Sequence, residues 1–69
     1  MIQLRLDKTL KELDISRYEL SKRTGIRYQI LDNYYKNIVV RYDSYVLSRI
    51  CDALDCSISD ILEIVADNQ

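Results

Sequence analysis

Proline and histidine are both absent from this chain of 69 residues, and it contains only one glycine, Gly25. Small β-proteins usually need more glycine at their hairpins, so helices joined by short turns are expected. Without histidine, the two thiolates of Cys51 and Cys56 would leave a zinc site half filled. Ser-His pairs and glycine-rich phosphate loops are missing as well. The sequence therefore predicts an all-α protein that is not an enzyme and holds no metal or cofactor.

Long apolar runs are also missing. No stretch approaches the roughly 18 apolar residues of a membrane helix, and residues 1–6 lack the basic start and apolar core of a signal peptide. We therefore expect a cytoplasmic protein with no membrane association. In a reducing compartment a disulfide is not favoured, so Cys51 and Cys56 are expected to be buried as small apolar side chains. Without repeats or linkers, residues 1–69 are expected to form a single domain around one modest core.

The formal net charge of −1 conceals an uneven distribution of charge along the chain. Residues 16–41 contain six basic and two acidic side chains, which gives +4. Residues 42–69 contain one basic and six acidic side chains, which gives −5. A phosphate group responds to the local potential rather than to the total charge. The middle of the chain is therefore the part suited to contact a polyanion.

Capping residues and apolar spacing predict five helices. Near the N-terminus, alternating apolar residues at positions 2, 4 and 6 favour a short strand. Leucines at helical spacing then predict a first helix to about Leu13, with Asp7 as its cap and Asp14 in the turn. Ser16 and Glu19 form a capping box for the second helix, which is expected to end at Gly25.

A third helix is expected over residues 27–36. Its predicted apolar stripe consists of Ile26, Ile30, Leu31 and Tyr34. The opposite, polar side is expected to carry Arg27, Tyr28, Gln29, Asp32, Asn33 and Lys36. The β-branched residues 38–40 interrupt the helical pattern and are a candidate partner strand for residues 3–5.

Two more helices are predicted in the last third of the chain. The fourth begins near Asp43 or Ser44. Its inward residues are expected to be Val46, Leu47, Ile50, Cys51 and Leu54. Ser57 with Asp60 repeats the capping box for a fifth helix, and residues 66–69 are expected to fray. At helical spacing, Tyr34 and Tyr45 are interpreted as core or subunit-contact residues.

Two short helices around a tight glycine turn form a helix-turn-helix, whose second helix enters the DNA major groove. The segment SRYELSKRTGIRYQILDNYYKN, residues 16–37, resembles the Cro/repressor-type helix-turn-helix of the xenobiotic-response-element family. The later segment LSRICDALDCSISDILE resembles the ending of a compact subgroup of these regulators. The resemblance implies a compact, five-helix, lambda-repressor-like DNA-binding domain that binds a double-stranded operator as a homodimer.

The resemblance also assigns roles to individual residues. The base-reading positions of the family correspond here to Arg27, Tyr28, Gln29, Asp32 and Asn33. Contacts to the DNA backbone are expected from Arg17, Lys36, Asn37 and Arg41. Gln29 and Asn33 are suited to bidentate bonds with adenine, and Arg27 to a guanine or a phosphate. Asp32 would repel phosphates unless it accepts a hydrogen bond from a cytosine amine.

The predicted function is sequence-specific transcriptional regulation, most simply repression, with residues 27–36 in the major groove. No separate sensor domain and no small-molecule ligand are expected within these 69 residues. The alternative is a protein-interaction adaptor or anti-repressor with the same fold and no DNA binding. Tyr28, Asp32 and Tyr35 would then form the protein-contact patch.

Overall fold

The computed structural model describes residues 1–66 and contains four α-helices and two short strands. The elements are, in chain order, β1 (Ile2–Leu4), α1 (Leu6–Leu13), α2 (Arg17–Thr24), α3 (Tyr28–Tyr35), α4 (Ser44–Leu54), a 3₁₀ turn (Ile58–Asp60) and β2 (Leu62–Ile64). The strands pair in antiparallel orientation, with Gln3 opposite Glu63. Two eight-residue helices, α2 and α3, form the predicted helix-turn-helix.

The predicted fifth helix is wrong. The capping box of Ser57 and Asp60 does form, but it begins only the 3₁₀ turn Ile58–Asp60. The chain then extends, and the backbone carbonyl of Ile61 accepts a hydrogen bond from Arg5 N at 2.6 Å. Pairing with β1 satisfies the backbone while Ile61 is buried in the core. A capping box alone does not stabilise a short helix, because helix nucleation is unfavourable. The strand pairing with β1 therefore determines the conformation of residues 62–64.

The N-terminal strand is confirmed, but its partner is β2 and not residues 38–40. The connector between α3 and α4, residues 36–43, instead contacts β1 through the side chains of Asn37 and Tyr42. Leu4 N donates to Asn37 Oδ1 at 3.0 Å, and the Tyr42 hydroxyl donates to Ile2 O at 3.5 Å. The connector thus covers the edge of β1 that faces away from β2.

Local backbone signals fix the turns around α1 and α2. Asp14 adopts a left-handed conformation (φ 56°) after α1, as predicted. Helix α1 begins earlier than expected, so Asp7 lies in its first turn rather than at its cap. Ser16 Oγ caps α2 by accepting from Glu19 N at 3.0 Å, whereas the Glu19 side chain pairs with Arg23. The predicted capping box is therefore present in only one of its two bonds.

The turn between α2 and α3 is held by hydrogen bonds as well as by Gly25, whose φ of 74° is the left-handed backbone that the sequence predicted. Ser21 Oγ donates to Ile26 O at 2.6 Å. From α4, Arg49 donates through Nε and Nη2 to the backbone carbonyl of Thr24, at 3.2 and 2.9 Å. The guanidinium satisfies a carbonyl at the end of α2, which fixes the helix-turn-helix to α4.

One apolar core joins β1 and the four α-helices, and Ile61, next to β2, also lies in it. Its buried members are Leu4, Leu6, Leu10, Leu20, Ile26, Leu31, Tyr34, Val46, Ile50, Leu54 and Ile61. Tyr34 lies in the core as predicted, and its hydroxyl accepts from Asp43 N at 2.9 Å. Tyr45 is 65% exposed, so the core position considered for it is wrong. Helix α4 begins after Asp43, whose carboxylate caps it, as the sequence indicates.

Candidate nucleic-acid interface

Helix α3 has an outward face made of several of the predicted base-reading residues. Tyr28 and Gln29 are exposed in its first turn, and Asn33 is half-buried one turn later. Gln29 Nε2 donates to Asn33 Oδ1 at 3.1 Å, so the structure brings these two amides together. Arg27 is exposed at the N-cap position, one residue before the helix, and offers no side-chain cap.

Ile30 belongs to this outward face, although the sequence pattern placed it in the core. Its side chain is 38% exposed, whereas Leu31 and Tyr34 are buried. Successive helical residues are 100° apart, so Ile30 lies on the edge of the stripe, next to Asn33. The apolar character of Ile30 is visible in the sequence, but its helical spacing with Leu31 and Tyr34 favoured a core position. Ile30 therefore adds an aliphatic side chain to the outward face that carries Tyr28, Gln29 and Asn33.

Asp32 is not on the exposed face, and the predicted placement beside Gln29 and Asn33 is wrong. The residue is only 7% exposed. Its Oδ1 accepts a hydrogen bond from Arg17 Nη1, and its Oδ2 lies 3.0 Å from Lys36 Nζ. Hydrogen bonding with Lys36 and Arg17 holds the pKa of Asp32 below its ordinary value, although partial burial opposes this shift. The carboxylate is thus ionised and committed to two cations.

Arg17 is fixed by aromatic rings as well as by this ion pair. Its guanidinium carbon lies 4.2 Å from the centre of the Tyr35 ring and 6.0 Å from that of Tyr28. Both distances are within the range of cation–π attraction. We refer to Arg17, Tyr28, Asp32, Tyr35 and Lys36 as the Asp32 cluster. It joins the first residue of α2 to both ends of α3.

The geometry of α2 and α3 agrees with a comparison with known families. A family model described as the Cro/C1-type HTH DNA-binding domain matches residues 5–67. The chain belongs to this family. No curated protein and no solved structure matches the chain. Membership confirms the predicted Cro/repressor-type helix-turn-helix and makes the protein a DNA-binding regulator of the Cro/C1 type.

In this Cro/C1-type domain, the remaining candidates for contacts to the DNA backbone are Asn37 and Arg41, and their surroundings differ. Asn37 adopts a left-handed conformation (φ 60°), and its side-chain oxygen accepts a hydrogen bond from Leu4 N. Arg41 is exposed in the connector. The structure therefore brings Arg17 and Lys36 together at Asp32, while Asn37 lies against β1 and Arg41 lies beyond it along the chain.

Within residues 1–66, no group of three or more His, Cys, Asp or Glu side chains is arranged to hold a metal ion. In the same part of the chain, no helix is long and apolar enough to cross a membrane.

The two cysteines are free and half-buried against the core, so the prediction that they are buried holds only in part. Burial raises the pKa of both thiols, and that of Cys56 reaches about 11, with Cys51 and the nearby Asp60 and Asp55 adding to the shift. The thiolate is the reactive form of cysteine. Cys56 is therefore a poor nucleophile at neutral pH.

We expect iodoacetamide at pH 7.5 to alkylate Cys56 at least about tenfold more slowly in the folded protein than in urea, because so little of the folded thiol is ionised. Peptide-resolved mass spectrometry over a time course measures both rates. The advantage of the urea sample should shrink as the pH is raised toward 11. Equal rates at pH 7.5 would contradict the raised pKa.

Proposed function

We propose that this Cro/C1-type protein is a sequence-specific repressor that inserts α3 into the major groove of an operator. The observation that carries the proposal is the division of α3 into two faces. Leu31 and Tyr34 anchor one face in the core, while Tyr28, Gln29 and Asn33 stand on the other. A rigidly anchored helix with polar side chains outward can reach base edges without rearranging the domain.

The amides of Gln29 and Asn33 are suited to read adjacent base pairs. Their mutual hydrogen bond uses one N–H of Gln29 and the oxygen of Asn33. Gln29 keeps its oxygen and a second N–H, which is the pair needed for a bidentate contact with adenine. Asn33 keeps two donors. The mutual bond therefore orients both side chains and leaves them able to bind bases.

Ile30 and Arg27 extend the proposed reading surface at its edges. An exposed aliphatic side chain in the major groove favours the methyl group of thymine, and Ile30 is exposed beside Asn33. Arg27 lies at the start of α3, where it would bind a guanine or a phosphate. Tyr28 would contact a sugar or a thymine methyl.

Backbone contacts are proposed for Arg17, Lys36, Asn37 and Arg41, which flank the reading surface. Such contacts set the position of the protein on the duplex but carry no sequence information. We further propose a cytoplasmic homodimer that binds two half-sites about one helical turn apart. Repression would follow from occlusion of the promoter.

The proposal is tested by selecting bound duplexes from a random DNA pool and measuring the affinity of the best one against salt. With three phosphates neutralised, affinity should fall about 40-fold between 50 and 200 mM salt. The control is a shuffled duplex of the same composition, which should bind more weakly at every salt concentration. No enrichment of any sequence, or no salt dependence, would favour the adaptor function instead.

A further inference from the structure

Asp32 is the one acidic residue of α3, and it lies between two of the cations proposed to contact phosphates. Its two carboxylate oxygens serve different partners, Arg17 on one side and Lys36 on the other. Arg17 begins α2, and Lys36 follows the last residue of α3. The ion pairs therefore connect the two ends of the surface that would face the DNA backbone.

The Asp32 carboxylate is more sheltered than the acidic partners of the Glu19–Arg23 and Arg5–Glu63 pairs. The Asp32 side chain is 10% exposed, whereas both partners of the Glu19–Arg23 pair are more than 40% exposed. Charges that are partly removed from water interact more strongly than exposed ones. The Tyr35 ring below the guanidinium further restricts where Arg17 can point.

The cations nevertheless keep groups that can bind phosphate. Arginine has five N–H donors and lysine has three, and Asp32 takes one donor from Arg17 in a hydrogen bond and one charge contact from Lys36. The Lys36 side chain is more than half exposed. Arg17 and Lys36 are thus oriented donor side chains. Together with Asp32 they carry a net charge of +1, whereas the two cations without Asp32 would carry +2.

We infer that Asp32 is a positioning residue that raises the preference of this protein for its operator over random DNA. The inference rests on the proposed function. Non-specific binding is almost entirely electrostatic, so the negative charge of Asp32 weakens it in every register. In the operator complex, the fixed Arg17 and Lys36 meet phosphates in the one register that α3 selects. Asp32 therefore reduces non-specific affinity more than operator affinity.

The test compares the wild type with Asp32→Asn and with the matched control Glu19→Gln. Both variants remove one negative charge from a salt-bridged residue of the helix-turn-helix, but Glu19 pairs only with the exposed Arg23. Each protein is titrated with the selected operator duplex and with a random-sequence duplex at 50 to 200 mM salt. Circular dichroism confirms that each variant is folded.

For Asp32→Asn we expect random-duplex affinity to rise by roughly 3- to 10-fold and the logarithmic salt slope to steepen by about one. The ratio of operator to random affinity should fall, whereas Glu19→Gln should leave this ratio within about twofold of the wild type. Equal changes in the two variants would overturn the inference, since only net charge would then matter. If the wild type binds no duplex at all, the proposed function fails first.

Asp32→Glu provides a second variant in case Asp32→Asn does not fold. The longer side chain keeps the charge but displaces Arg17 and Lys36 from their places. We expect a lower operator-to-random ratio with an unchanged salt slope on random DNA. A purely structural role would lower stability without changing this ratio in the folded protein. An unchanged ratio would therefore overturn the positioning role.

Discussion

Replacing Arg27, Gln29 and Asn33 together with alanine should reduce the preference for the operator by at least about 100-fold, because each well-formed bidentate base contact contributes about 1–3 kcal/mol of discrimination. Binding to random DNA should fall much less, since most phosphate contacts remain. The fold should be preserved. Gln29 and Asn33 hydrogen-bond to each other through their side chains, and Arg27 is exposed.

Fluorescence anisotropy with the selected and shuffled duplexes at one salt concentration measures this preference. The control variant carries alanine at Lys8, Lys11 and Glu12, three exposed residues of α1. It loses the same net charge as the triple variant of α3, so a general electrostatic effect would appear in both. Retention of full operator preference by the α3 variant would remove these side chains from the reading surface.

The second large effect is expected in stability, from Leu20→Ala. Leu20 is fully buried (0% exposed) in α2, the helix that supports α3. Truncating a buried leucine costs about 2–5 kcal/mol through lost burial and the cavity left behind. A single core in a domain of this size rarely supplies more than about 3–5 kcal/mol. The variant should therefore be largely unfolded at 25 °C.

Urea denaturation followed by circular dichroism checks this prediction. Tyr18→Ala is the control, because Tyr18 lies on the same helix with an exposed side chain. Its effect should remain within about 1 kcal/mol. Ile50→Ala, at another fully buried position, should resemble Leu20→Ala. A Leu20→Ala protein with a wild-type urea midpoint would mean that the cavity collapses at little cost.

Much of the helix-turn-helix followed from the sequence, because its signals act within a few residues. A Ser hydroxyl can cap only the helix that it precedes, so Ser16 located the start of α2. Gly25 and Asp14 take the turn positions predicted for them and adopt a left-handed backbone there, since such positions exclude most other side chains. The family resemblance added the Cro/C1-type identity, which the family match confirms.

The charge pattern also followed from the sequence, but the partners of the charges did not. The sequence pattern predicted an exposed Asp32 and a buried Ile30, whereas in the structure Asp32 is buried and Ile30 is exposed. The spacing of α3 allows either residue at the border of the buried stripe. The ion pair with Arg17 favours the sheltered position for Asp32. Arg17 lies 15 residues away along the chain, so this pair forms only after α2 and α3 have packed, and the local sequence does not predict it.

The sequence by itself determined where the helix-turn-helix begins, turns and ends, since caps and left-handed residues act on the backbone next to them. The tertiary structure alone decided that residues 62–64 form a strand and that Asp32 pairs with Arg17. Each of these features depends on a partner remote in the chain, β1 in one case and the start of α2 in the other. Local propensity is weak at such positions, so the contact that becomes available on folding determines the outcome.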